Sequence, residues 1–187
     1  EKLDKTAAKL TEAGGIVAGS EALNFRHLHE IKNTLGYAHS VMGGFDTALI
    51  AHGTLIPQKL IEESIDALTQ IVEENFSSQA VFLNCLAEAV SEGGTIGVVT
   101  TVAGEAARPR SAAYSATKAA LCRYMQGLRG KLWNEKKIRL VDIRPGWVET
   151  PMTQNAKGKF LTAPPEWAGE DIARALLSSK PSVLYTP

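Results

Sequence analysis

The sequence predicts an α/β protein: a doubly wound parallel sheet in three layers, with helices on both faces. Three observations predict it. Short apolar runs alternate with helix-length amphipathic stretches through all 187 residues, the pattern of consecutive βαβ units. Two of the runs, TIGVVTTV (95–102) and KIRLVDIRPG (137–146), are rich in apolar and β-branched residues, as inner parallel strands are. Glycine or proline punctuates the pattern at Gly53, Gly93-Gly94 and Pro145-Gly146.

Residues 1–13 place Leu3, Ala7 and Leu10 at helical spacing, and Gly14-Gly15 closes the run. Residues 16–23 (IVAGSEAL) are expected as a strand weakened by Gly19, 27–40 as a helix, and 45–53 (FDTALIAHG) as a short buried strand entering a Gly-ended turn. From Ile65 to Val90 apolar side chains recur at helical spacing, so 62–91 reads as one long helix broken by Gly93-Gly94. A strand over 95–102, a second long helix over 112–134 and a strand over 137–146 follow. Residues 151–166 hold three prolines and a glycine and read as a mobile loop, before a helix (169–178) and a closing strand (182–187). Ligands bind at the carboxyl ends of such strands. The segments Ala51–Gly53, Thr101–Gly104 and Pro145–Thr150 are therefore expected to face one crevice.

Lys plus Arg and Asp plus Glu both number 20, so the formal net charge is zero. That balance argues against nucleic acid, an anionic membrane surface or a strongly acidic substrate as partner. Cys85 and Cys122 are too few for a disulfide framework and read as buried free thiols in a reducing, cytoplasmic setting. No apolar run approaches the roughly 18–20 residues of a bilayer span. His27 and His29 are two apart and share no helix face, so no metal pair is expected there.

Tyr114 and Lys118 are four apart on the second long helix and share one of its faces. A phenol is a poor acid near neutrality, with an ordinary pKa of about 10. A neighbouring ammonium favours the phenolate, which makes the pair a proton donor suited to a carbonyl under reduction. Thr101 lies at the end of the preceding strand, Asn75 in the preceding long helix, and Pro145-Gly146 and Thr150 after the next strand.

In this order and spacing TTVAG, YSATK and RPGWVET resemble the serine strand, Tyr-x-x-x-Lys helix and Pro-Gly turn of the short-chain dehydrogenase/reductase family. EENF (73–76) is similar to the segment with its catalytic Asn, and IAHG (50–53) takes the place of its Asn-Asn-Ala-Gly stretch. The resemblance runs over essentially the whole chain and implies a Rossmann-type, NAD(P)-dependent oxidoreductase acting on a small carbonyl or alcohol. NADP or NAD is implied as cofactor, with a slight lean to NADP. The family pattern makes Tyr114 the general acid or base. It makes Lys118 a ligand of the nicotinamide ribose that also lowers the Tyr114 pKa. Thr101 would hold the substrate oxygen, and Asn75 a water of the proton path. Pro145, Gly146, Val148 and Thr150 would hold the nicotinamide end, Ala51 and Gly53 would lie along the adenosine half, and Asn24 stands where the family commonly has an adenine-binding Asp. Trp147, beside Met152 at the crevice mouth, is a candidate for the substrate pocket or a cover for the sheet edge. A homodimer or homotetramer through 112–134 is implied too.

Three departures qualify the resemblance. Thr101 replaces a serine, keeping the hydroxyl but restricting χ1. Ile50-Ala51-His52-Gly53 lacks the asparagine pair. No glycine-rich phosphate loop is found, so residues 1–187 are expected to be one partial NAD(P)-binding domain lacking its first βαβ portion, an N-terminal truncation. IAHG, TTVAGE and PGWVETPMT lean toward the branch that includes reductases of the 2-keto pentose of a polyprenyl-phosphate sugar. Arg108 and Arg110 either meet an anionic substrate or are exposed turn residues; His52 is expected to be structural. The alternatives to an enzyme of this class are a catalytically weak dinucleotide-binding sensor or subunit, and a different Rossmann enzyme such as a methyltransferase.

Overall fold

The computed structural model describes residues 2–154, 162–178 and 183–186. It contains a four-stranded parallel sheet in the order β1 (Phe45–Ile50), β2 (Val90–Val99), β3 (Arg139–Pro145), β6 (Val183–Thr186). A two-stranded parallel ladder joins β4 (Trp147–Val148) to β5 (Thr162–Ala163). Helices α3 (Gln58–Glu63), α4 (Ile65–Val72) and α5 (Ser78–Ala89) connect β1 to β2; α6 (Ala112–Lys136) connects β2 to β3; α7 (Pro165–Leu177) precedes β6. This is the Rossmann-like α/β architecture that the alternating pattern predicts.

The core lies between the sheet and α5 with α6. Leu83 and Leu86 of α5, Leu121 and Met125 of α6, and Ile96, Val98 and Leu140 of the sheet form one buried cluster. Each such side chain, fully buried, stabilises the fold by roughly 1.5–3 kcal/mol. Thr117, Leu121 and Met125 of α6 recur every four residues, and Lys118 and Cys122 lie beside them. That spacing keeps one face of the helix inward. On the opposite side of the sheet α7 packs against β2, β3 and β6. Helix α1 (Lys2–Glu12), the expected first helix, buries none of its residues, and α2 (Leu28–Met42) lies against α5. It ends at Gly43, whose φ of 69° supplies the left-handed cap.

Several expectations are corrected. Residues 16–23 form no strand, and Ile16 is 99% exposed. A strand exists only when a neighbour takes its backbone hydrogen bonds, and none of the described strands pairs with this segment. β1 is not buried: it is the edge strand of the sheet, and Leu49 on it is 44% exposed. The stretch 62–91 is not one helix. Ser64 accepts the Ala67 N–H at 3.2 Å as the N-cap of α4, and a π-helical turn over Glu73–Ser77 separates α4 from α5.

β2 begins at Val90, not 95, and Gly93-Gly94 lies inside it at a register shift opposite Phe45–Thr47. A Cβ on Gly94 would sit 2.4 Å from the Asp46 carbonyl oxygen, so the strands approach here because that side chain is missing. β2 ends at Val99, which places Thr101 in the loop beyond it. Within 151–166, β5 and the first turn of α7 are formed; 155–161 lie outside the described residues.

Candidate active site

Three adjacent parallel strands end side by side, so Ala51–Gly53, Thr101–Gly104 and Pro145–Thr150 emerge at the same end of the sheet. Lys118, 3% exposed, reaches from α6 across this end. Its ammonium donates to the Val99 carbonyl at 3.1 Å and to Gln79 Oε1 at 3.4 Å. Burial pushes its pKa down to about 8, against smaller opposing pulls from Cys122 and Asp142. An ammonium carries three donors, so among the described residues one remains for a ligand.

Tyr114 lies one helical turn before Lys118, and its phenol feels the Thr101 hydroxyl. Burial pushes the phenol up, and the Thr101 hydroxyl pulls it part of the way back. The net direction in this structure is opposite to the lowering expected from Lys118. The phenol is therefore a protonated donor at neutral pH. Thr101 Oγ1 also accepts the Ala103 N–H at 3.2 Å, which starts the short 3-10 turn Val102–Gly104 and fixes the hydroxyl beside the phenol.

Asn75 sits in the π-helical turn and is wholly buried. Its Oδ1 accepts the Thr54 N–H and its Nδ2 donates to the Thr54 carbonyl, both at 2.8 Å. It thus braces the turn after β1 as a strand partner would. Each carboxamide atom keeps one further hydrogen-bonding site. Gly53 makes this close approach possible: a Cβ there would stand 3.2 Å from Asn75 Oδ1 and 3.4 Å from Lys118 Nζ.

The other candidates are more scattered. Asn24 accepts the Arg26 N–H at 3.0 Å in a turn of its own and is exposed. That loop is tied to the π-helical turn by the ion pair of Arg26 with Glu73 at 2.6 Å. Ala51 is exposed and, with His52, borders a largely apolar cleft of about 370 Å³ along β1 that none of Thr101, Tyr114 and Lys118 lines. Pro145 ends β3, Gly146 links it to β4, and Trp147 and Val148 are half-buried in the β4–β5 ladder. Thr150 is held by Thr153, whose Oγ1 accepts the Thr150 N–H at 3.1 Å and donates to the Val148 carbonyl. The nicotinamide-end segment is thereby folded into a compact turn.

Sequence reasoning missed Gln79, Thr153 and the buried charges under the site. Asp142, on β3, accepts from Thr100 Oγ1 at 2.5 Å and from Arg144 Nε and Nη2 at 2.9 and 2.7 Å. Arg144 in turn pairs with Glu105 in the loop after Thr101. The available signal was an Asp and an Arg two apart within an otherwise apolar strand, which puts both on one sheet face.

A fold with this parallel sheet and a Tyr-x-x-x-Lys helix at its carboxyl edge defines an oxidoreductase class. Residues 1–159 match the model of the short chain dehydrogenase family, and the chain belongs to that family. It is 29% identical over 189 residues to the uncharacterized oxidoreductase Rv2073c of Mycobacterium tuberculosis, covering 100% of this chain and 75% of the relative. It is 26% identical over 184 residues to the uncharacterized oxidoreductase SAUSA300_2422 of Staphylococcus aureus, covering 95% and 74%. The chain thus spans about three quarters of these curated relatives. Among solved structures it is similar to a short chain dehydrogenase from Burkholderia cenocepacia in complex with NADP, with a TM-score of 0.87, 17% identity and coverage of 97% and 80%. It is also similar to a 3-oxoacyl-[acyl-carrier protein] reductase from Brucella melitensis in complex with NAD, with a TM-score of 0.73, 20% identity and coverage of 80% and 62%. Among the described residues no helix is long and apolar enough to cross a membrane, and no group of three or more His, Cys, Asp or Glu could hold a metal ion.

Proposed function

We propose that the protein reduces a small carbonyl substrate to a secondary alcohol with NADPH or NADH, Tyr114 being the proton donor. One observation carries this reading: a protonated phenol close to a threonine hydroxyl and one helical turn from a buried ammonium, at the carboxyl edge of a parallel sheet. The residues present fit the nicotinamide and its ribose. Lys118 keeps a donor for a ribose hydroxyl, and Pro145, Gly146, Val148 and Thr150, which follow β3 at the same end of the sheet, would take the carboxamide. Ala51, Gly53 and Asn24 belong to the adenosine side of the same reading. The nicotinamide, when bound, supplies the hydride.

Thr101 holds the carbonyl oxygen by its hydroxyl, and Tyr114 gives that oxygen a proton as the carbonyl carbon becomes tetrahedral. The charge left on the phenolate is stabilised by the Lys118 ammonium. Asn75, with one spare donor and one spare acceptor, holds the water through which the proton is replaced. Trp147 borders the substrate. Family membership and the ligands of the two solved relatives, NADP and NAD, support the cofactor class. Within carbonyl substrates the reading leans to the 2-keto pentose of a polyprenyl-phosphate sugar. Its support is the IAHG, TTVAGE and PGWVETPMT segments and the exposed Arg108 and Arg110 before α6. Self-association through 112–134 is part of the same proposal.

The test is Tyr114→Phe. Turnover of a carbonyl panel with NADPH or NADH should fall by about 10²–10⁴-fold, with cofactor binding, read by nucleotide fluorescence, unchanged. Undiminished turnover in the variant would overturn the reading. Fluorescence binding with no turnover by the unaltered protein would favour a dinucleotide-binding sensor or subunit, a reading that the engagement of Lys118 by Gln79 and Val99 supports.

A further inference from the structure

We propose that Gln79 is a positioning residue for the reaction: its carboxamide ties the Lys118 ammonium to the backbone turn after β1 and so fixes where the amine stands. The inference rests on the reductase reading above. Gln79 is wholly buried in the first turn of α5, immediately after the π-helical turn. Its Nε2 donates to the His52 carbonyl at 2.7 Å, and its Oε1 accepts from Lys118 Nζ at 3.4 Å. Only this orientation of the amide works, because the flipped group would turn its NH₂ toward an ammonium.

A buried charge is tolerated only when hydrogen bonds replace its water. Among the described residues Lys118 has two acceptors, the Val99 carbonyl and Gln79 Oε1. The first is backbone and invariant to side-chain replacement, so Gln79 is the side chain that sets the ammonium's position. Asn75, its Oδ1 3.2 Å from the place of a Cβ on Gly53, turns one bond of each carboxamide atom to Thr54 and makes no hydrogen bond to the amine. Gln79 also ties down IAHG, the stretch that lacks the asparagine pair: its amide grips the backbone of His52 itself. The titratable groups around Lys118 are His52 after β1, Tyr114 and Cys122 on its own helix, and Asp142 on β3. Gln79 carries no charge at any pH: leucine removes its bonds to Lys118 and to the His52 carbonyl, while glutamate sets a negative charge beside the ammonium and gives up the donor to His52.

The test compares unaltered protein, Gln79→Leu and Gln79→Glu. Competitive acetylation of Lys118, followed by mass spectrometry across pH, reads the amine without cofactor or substrate. The expected result is a Lys118 titration moved down by roughly one pH unit in the leucine variant and up by a similar amount in the glutamate variant. The alkaline limb of kcat should move the same way. A residue that merely fills space would change folding stability in both variants and leave the Lys118 titration in place. Coincident labelling curves in all three folded proteins would overturn the proposal. Shifted curves with no turnover by the unaltered protein would retire the reductase reading and leave the Gln79–Lys118 coupling standing.

Discussion

Phe25 and His52 stack face to face, with ring centroids 3.9 Å apart and planes 10° from parallel. Phe82 closes on both rings, at 6.0 Å from Phe25 and 5.3 Å from His52. The imidazole Nε2 donates to Ser78 Oγ at 2.9 Å, since that hydroxyl gives its own proton to the Glu74 carbonyl. Burial first, and the Lys118 charge second, push the His52 pKa down to about 4.

The pH dependence of stability follows from that pair. In the unfolded chain His52 takes up a proton near its ordinary value of about 6.5, while in the fold it resists until about 4. Its neutral form therefore supports the fold above pH 6.5, and that support is lost as pH falls from 6.5 toward 4. His52→Phe keeps the stack and removes the titration. Urea unfolding from pH 7 to pH 4 should show the unaltered protein losing on the order of 3 kcal/mol relative to the variant. Parallel pH curves would show that His52 is not the buried neutral base described here.

Lys118 predicts the opposite limb. Its folded pKa, about 8, lies below the ordinary value of 10.5, so the unfolded chain binds the extra proton between those values. Relative to Lys118→Met, the unaltered protein should gain stability as pH rises from 8 to 10.5, by up to about 3 kcal/mol. Chemical denaturation at pH 7.5 and pH 10 checks it. No change in the difference would mean that the ammonium is better solvated than its burial indicates.

The Asp142–Arg144 pair should be costly to break. Both side chains are buried, at 0% and 8% exposure, and Asp142→Ala takes from the guanidinium its buried carboxylate and from the Thr100 hydroxyl its shorter acceptor, leaving them Glu105 and the Ile143 carbonyl. A loss of about 3–5 kcal/mol is expected, read as a lower urea midpoint. Glu105, half-exposed at 52%, should cost under about 1 kcal/mol as Glu105→Gln. Equal losses at the two positions would contradict the burial argument.

Two glycines should respond with opposite signs to alanine. At Gly94 the new Cβ meets backbone oxygens of Asp46 and Ser91 at 2.4 and 2.9 Å. Gly94→Ala should cost about 1–3 kcal/mol or more. At Gly127, inside α6, nothing lies within 4 Å, and Gly127→Ala should stabilise by roughly 0.5–1 kcal/mol. Thermal melts of the two variants decide it.

What was legible in the sequence was what periodicity and order encode. The helix over 112–134 and the strand over 137–146 sit within a few residues of α6 and β3, because their apolar spacing and their Pro-Gly stop act locally. The relation of Tyr114, Lys118 and Thr101 was legible as order along the chain. The misreadings share a cause: each depended on a neighbour in space. Residues 16–23 have strand-like composition but no strand beside them, and Phe45–Ile50 looks buried until its place at the sheet edge is known. Ser64 and Asn75 interrupt a helix whose apolar spacing runs on past them. Gln79 was passed over because a glutamine among Ser78, Ala80 and Val81 gives no periodic signal; only the arrival of Lys118 from another helix gives it a task.

The π-helical turn at Glu73–Ser77 has one more consequence. Such a turn holds one residue beyond what an α-helical turn would. Deleting Phe76 or Ser77 would let the helix run on regularly, and it would also rotate α4, with Asn75 at its end, by about 100° against α5. Asn75 would then swing off Thr54 while Gln79 stayed with Lys118. The bulge works as a length gauge: additions and losses of residues can be absorbed ahead of it, in the open chain between Gly53 and Gln58, but not within it.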